Sequence, residues 1–172
     1  MANFWVTGDS HLGHKKIIDK LNMPEYNARI LAEYARIPYE DVMIHVGDVS
    51  FGDDEYWNDQ LLRSTSCRKW LVLGNHDKHS LTWYLDKGWD FVARDFTFDR
   101  FGFSLWFTHI PELSIEPASL TLNIHGHLHS QSRDGEFKNL LNSSNILYTP
   151  EKFNFKPVRL DMFLGDLIKE RI

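Results

Sequence analysis

Trp70-Leu71-Val72-Leu73-Gly74-Asn75-His76-Asp77 decides the fold. The first four residues are an apolar run of strand length, short enough to be buried on both faces. The run stops at a glycine and then delivers an amide, an imidazole and a carboxylate in three consecutive positions. A given tetrapeptide such as Gly-Asn-His-Asp appears by chance in a chain this long about once in a thousand sequences. The same arrangement recurs on both sides of it. Phe4-Trp5-Val6-Thr7 runs into Gly8-Asp9-Ser10-His11, and Val42-Met43-Ile44-His45-Val46 runs into Gly47-Asp48. Residues 103–108 run into His109, and Leu122-Asn123-Ile124-His125 into Gly126-His127-Leu128-His129. Sites in open α/β sheets form outside the carboxyl ends of strands. Five strand ends bearing ligand-type side chains are therefore predicted to converge.

Helical patterns separate these strands in the first half. Ile17, Ile18 and Leu21 share one side of a helix predicted over 14–21. A second is predicted over 24–36, with Pro24 in its first turn. Asp53 or Asp54 caps a third, running through Tyr56, Trp57, Leu61 and Leu62. A fourth covers 81–85, with Gly88 as its stop. The second half is mostly strands, predicted at 91–92, 96–98, 103–108, 122–125 and 139–142, with a turn at Arg100-Phe101-Gly102. A short amphipathic helix is predicted over 160–168. This pattern predicts two packed sheets with helices outside them.

The 172 residues fit a single domain spanning 1–172, long enough to bury about 70% of its unfolded surface without a staple. The single cysteine, Cys67, excludes an internal disulfide framework and a thiolate metal cage; it reads as a semi-buried thiol. A net charge of −5 argues against a broad basic surface for nucleic acid, but not against a local grip on a few phosphates. No apolar run approaches the roughly 18 residues of a membrane span. The first eight residues lack the basic and apolar segments of a signal peptide. A cytoplasmic location is expected, with no membrane partner.

The nine histidines matter through their positions. Imidazole with carboxylate and amide oxygen, and no sulfur, suits divalent ions such as Mn²⁺, Fe²⁺ or Zn²⁺. Asp9 and His11 are alternate residues of an extended segment, so both can face one ion. His127 and His129 repeat that step. An aspartate such as Asp48 has two oxygens and can bridge two ions. Taken singly, a strand-end aspartate is more often a helix cap or turn former, and a lone histidine is more often a hydrogen-bonded or surface residue. His45 and His125 are read that way, as core or supporting groups, and His79 as solvated. The joint pattern is what points to a metal site.

Gly8-Asp9-Ser10-His11, Gly47-Asp48, Gly74-Asn75-His76-Asp77, Thr108-His109 and Gly126-His127-Leu128-His129 resemble the complete signature of calcineurin-like metallophosphoesterases. The likeness is to small bacterial and bacteriophage members, through Leu12-Gly13-His14 and Lys156-Pro157-Val158-Arg159-Leu160-Asp161. The resemblance implies an α/β fold, a four-layer α/β/β/α sandwich of two mixed β-sheets flanked by helices. It implies that Asp9, His11 and His129 hold one metal, and that Asn75, His109 and His127 hold a second. Asp48 and a water or hydroxide would bridge them. Mn²⁺ is the expected ion, with Fe, Zn, Ni or Mg as alternatives. His76 would contact the phosphate and protonate the leaving oxygen. Asp77 would orient His76, or serve as a supporting or helix-capping residue. The chain departs from the family pattern at His109-Ile110-Pro111, where an aromatic often separates His from Pro.

The implied activity is phosphoester hydrolysis by direct attack of the metal-bridging hydroxide, because no nucleophilic serine or cysteine motif is present. His14 is a candidate substrate-binding residue at the rim of the first motif. Lys15 and Lys16 follow it, as phosphate contacts or as a solvated helix start. Phe51, Trp57 and Trp83 serve core packing or base stacking. The expected substrate is a phosphodiester, a nucleotide or a nucleic-acid end. The alternatives are a phosphomonoesterase (nucleotide or protein phosphatase) and a non-catalytic metal-binding scaffold. A phage-encoded member would act in the host cytoplasm.

Overall fold

Val42-Met43-Ile44-His45 is buried along its whole length and forms β2 at the centre of the first sheet. The computed structural model describes residues 2–117, 120–129 and 141–169. β1 (Phe4–Thr7) lies parallel to β2, pairing Phe4 with Val42 and Thr7 with His45. On its other side β2 pairs in parallel with β3 (Arg68–Val72), and β3 with β4 (Phe91–Ala93). Parallel pairs need crossovers, which the helices supply. These are α1 (Lys15–Leu21), α2 (Tyr26–Tyr34), α3 (Asp54–Ser64) and α4 (Leu81–Lys87). Gly88 ends α4 in the left-handed conformation, at φ 118°.

Side-chain alternation divides the core. Val42 and Ile44 face the second sheet, packing with Leu105, Phe107 and Ile124, whereas Met43 and Leu71 face the helices, packing with Tyr26, Ile30 and Leu61. The second sheet has the order β5-β6-β7-β8. β5 (Phe96–Arg100) and β6 (Phe103–Phe107) form an antiparallel hairpin across Phe101-Gly102. Those two residues have φ 56° and 78°, the backbone of a two-residue hairpin turn. β7 (Thr121–His125) and β8 (Asn145–Leu147) extend the sheet in parallel. Two mixed sheets packed face to face with flanking helices are the expected α/β/β/α sandwich.

Several boundaries differ from the sequence reading. The strand expected at 139–142 is β8, at Asn145–Leu147; residues 139–140 lie outside those described. Asn142 instead forms a turn, its Oδ1 accepting from the Ser144 N–H at 2.8 Å. Residues 91–93 do not belong to the second half's sheet but form the parallel edge β4 of the first. α2 begins after Pro24, at Tyr26 with Glu25 as its cap. The closing helix is two short ones, α5 (Leu160–Phe163) and α6 (Gly165–Lys169). β9 (Val158–Arg159), antiparallel to β1, was not anticipated.

Candidate metal centre

The loops after β1 and β2 run side by side. The Asp9 N–H donates to Gly47 O at 2.9 Å, and the His11 N–H to Asp48 O at 3.0 Å. The chain bends sharply at these points. Asp9, His11, Asp48 and His127 have φ of 47°, 41°, 56° and 68°. They are four of the eight non-glycine residues in the left-handed region among those described. Each such residue costs about 1–2 kcal/mol, and such costs cluster where function fixes the backbone. Here the strain points to a site rather than to a packing need.

The side chains so placed meet. One oxygen or nitrogen each from Asp9, His11 and His129 lie within 4.8 Å of one another, and the same holds for Asp48, His109 and His127. His11 Nε2 is 3.1 Å from His129 Nε2, and His109 Nε2 is 3.2 Å from His127 Nδ1. Asn75 Oδ1 is 2.9 Å from His109 Nε2, which adds an amide oxygen to the second group. Asp48 Oδ2 sits between the groups, 3.6 Å from His11 Nε2 and 3.4 Å from His109 Nε2.

This donor set fits two divalent cations. Asp9 and Asp48 are 1% and 2% exposed, and buried carboxylates need a positive partner. Burial pushes Asp9 up to about 7. Burial also pushes His11 down to about 3, so its ring stays neutral and keeps a lone pair to give. His109 shows how strongly the carboxylates draw positive charge. Burial alone would lower it, yet Asp48 and Asp9 hold it up at about 9. Its Nδ1 is 2.7 Å from Val46 O, an anchor that aims Nε2 into the centre.

The supporting groups include one that the sequence did not reveal. Glu151 Oε1 lies 3.1 Å from His129 Nδ1 and orients that ring from behind. It sits in the 3₁₀ turn Glu151–Phe153, outside every strand-end motif. No motif in the sequence marks it. His45 and His125 are fully buried, with His45 Nε2 2.6 Å from Ser10 Oγ and His125 Nδ1 2.9 Å from Gly126 O. Ser10 continues to Tyr34, and Tyr34 to Thr7, at 2.6 and 2.7 Å.

Of the two readings for Asp77, the hydrogen bonds fit the supporting one. Its carboxylate accepts from the backbone N–H groups of Asp48, Val49 and Gly74 at 2.8, 3.0 and 2.7 Å. It therefore clamps the β2 and β3 loops together. His76 donates its backbone N–H to Asp48 Oδ1 at 2.8 Å, and its half-exposed ring reaches Nε2 to 4.0 Å from Asp48 Oδ2. His14 caps α1 and stacks on Phe51 at 4.1 Å, with its ring 5.9 Å from that of His11. His79 leaves the centre, stacking on Trp83 at 3.9 Å and facing Asp54 at 3.7 Å.

Two motif glycines are explained by contact. A Cβ on Gly74 would collide with the Asp48 carboxylate, and one on Gly126 would lie 2.6 Å from Asp9 Oδ2. Each glycine thus lets a neighbouring strand end approach a carboxylate of the centre.

A family model described as calcineurin-like phosphoesterase matches residues 2–169. Gene 66 protein of Mycobacterium phage D29 is 34% identical over 83 residues, 45% of this chain and 42% of that protein. Gene 66 protein of Mycobacterium phage L5 is 31% identical over 84 residues, 45% and 41% of the two chains. Each match thus spans under half the length of the curated relative. The crystal structure of a protein of unknown function from Aquifex aeolicus superposes with a TM-score of 0.67 at 23% identity, covering 100% of both chains.

Proposed function

The chain belongs to the calcineurin-like phosphoesterase family, and we propose that it is a phosphodiesterase that uses two Mn²⁺ ions on nucleotides or nucleic-acid ends. Metal-dependent phosphoester hydrolysis follows from the family and from the two ligand groups. The preference for a diester is supported by one observation: two clefts lie near the centre, one containing Asn75 and His109 and one bordered by His14 and Phe51, whose rings neighbour His11 and His76. One cleft, of about 660 Å³, adjoins His14 and Phe51. Another, of about 580 Å³, reaches Asn75 and His109 and is lined by Lys78, Arg94 and Trp106. A diester has two organic arms to place and a monoester one.

Asp9, His11 and His129 would hold one ion and Asn75, His109 and His127 the other, with Asp48 shared. When bound, the ions supply Lewis-acid charge to phosphate oxygens and acidify water. The protein's own groups do the rest. Val46 O and Glu151 fix the rings of His109 and His129. Asp77 holds the Asp48 and Gly74 loops in register. His76, half-exposed at the mouth, donates a proton from its ring to the leaving oxygen. Among the described residues no helix is long and apolar enough to cross a membrane. The phage relatives support action in a host cytoplasm.

The test is hydrolysis of bis(4-nitrophenyl) phosphate against 4-nitrophenyl phosphate with added Mn²⁺. The diester is expected to react faster. A monoester turned over faster makes the protein a phosphomonoesterase, and two bound metals with neither reaction make it a scaffold.

A further inference from the structure

The cleft beside His14 is built unlike the one beside Asn75. Phe51 is 41% exposed although it is aromatic. Its ring lies against His14 at 4.1 Å and 29°, and edge-on to His76 at 5.2 Å. Trp57 also lines the cleft, its indole packed so closely on Gly13 that no side chain could stand there. Ile18 completes an apolar surface. Asn27 also lines the cleft and spends its carbonyl on the Gly13 N–H at 3.0 Å, which leaves its NH₂ as a donor. Lys15 and Lys16 stand exposed at the rim. His14 already covers part of the Phe51 ring, and the exposed remainder can take a further stacked partner. A largely apolar cleft with an amide donor and two ammonium groups beside the centre matches a base joined to phosphate.

We propose that this cleft is a nucleobase subsite, in which the base of a nucleotide stacks on Phe51 against Trp57 while a further phosphate meets Lys15 and Lys16. The inference rests on the nucleotide reading of the centre and deepens it by placing the base and a further phosphate. The volume, about 660 Å³, suits one nucleotide. The scissile phosphate then lies on the His11 and His76 side, because Phe51 and His14 border both rings.

The experiment is calorimetric binding to the Mn²⁺-loaded protein of adenosine 5′-monophosphate and of ribose 5-phosphate, in which a hydroxyl stands in place of the base. The nucleotide is expected to bind about tenfold more tightly, and Phe51→Ala should bring that ratio towards one. Trp57→Phe, which keeps a ring in the packed wall, should reduce the ratio less. Equal affinities in the native protein, a ratio that survives Phe51→Ala, or no binding of the nucleotide at millimolar concentration would each overturn the subsite. A single-stranded trinucleotide that binds more tightly than the mononucleotide would mark a nucleic-acid end as the source of the base. Equal binding would mark a free nucleotide. None of these readouts requires turnover, so a failure of the diesterase assay is seen separately.

Discussion

His76 and His127 enter one centre by different routes, and truncation separates them. The His127 N–H donates to Asp9 at 3.1 Å, and its Nδ1 lies 3.2 Å from His109 Nε2. His76 touches the centre through its backbone, and its ring faces the opening. General acid catalysis is worth about 10²–10⁴-fold and matters most for poor leaving groups. His76→Ala is expected to retain both metals, to lose little on an aryl diester and about a hundredfold or more on an alkyl one. His127→Ala is expected to lose one metal equivalent and to fail on both. Elemental analysis with rates on the two diesters decides; loss of metal from His76→Ala would make that residue a ligand. The residues gathered at the centre were legible in the sequence because a strand end frames each group and a glycine marks most of those ends. Glu151 was not, since one carboxylate in a turn looks like any other surface acid. Asp77 was legible as important, but its partners are backbone groups, which leave no trace in sequence.

Elements carry the next level. The segment after His109 folds back over β7 and β8 and is held by amides. Asn123, fully buried, accepts from the Glu112 N–H at 2.8 Å and donates to Trp106 O and Thr108 Oγ1 at 3.1 and 2.9 Å. Asn145 donates to Glu112 O at 2.8 Å, and Asn142 to Ile115 O at 2.7 Å. Asn123→Leu would keep the branched shape of the side chain and strand these partners. It is expected to cost about 1–3 kcal/mol, read by urea unfolding. It should also weaken metal binding at the His109 group, read by chelator competition; unchanged stability would show that the loop does not depend on this clamp. The long apolar strands and the capped helices were readable from periodicity. β8 begins later than read because Asn142 forms a turn at the end of the stretch read as strand. β9 was missed because two residues carry no period.

The molecule as a whole keeps its chemistry at one end of the first sheet and a carboxylate anchor at the other. Asp41, buried ahead of β2, accepts from the Trp5 indole at 2.8 Å, the Asn3 N–H at 2.8 Å and the Asn3 side chain. Burial raises its pKa, but these hydrogen bonds outweigh burial and hold it below the usual carboxylate value. The folded state thus binds the Asp41 proton more weakly than the unfolded chain does. Its stabilisation is complete above the unfolded value of about 4 and fades as pH falls through the folded one. The difference in melting temperature between the native protein and Asp41→Asn is expected to be full at pH 7 and to shrink below about pH 4. A difference independent of pH would show that charge plays no part in this anchor. Two sheets with flanking helices were legible because alternation and crossover lengths act over the whole chain. The clefts were not, because they arise only where loops distant in sequence come together.

The left-handed backbones at Asp9, His11, Asp48 and His127 also set the direction in which this molecule can decay. Glycine accepts that conformation freely. At each of these positions the substitution easiest on the chain is therefore one that deletes a candidate ligand, and at Asp9 and Asp48 it also removes a buried carboxylate. A library screened only for heat resistance would drift through such changes, growing sturdier while going silent. Activity is what keeps these four side chains in place, against the preference of the backbone that carries them.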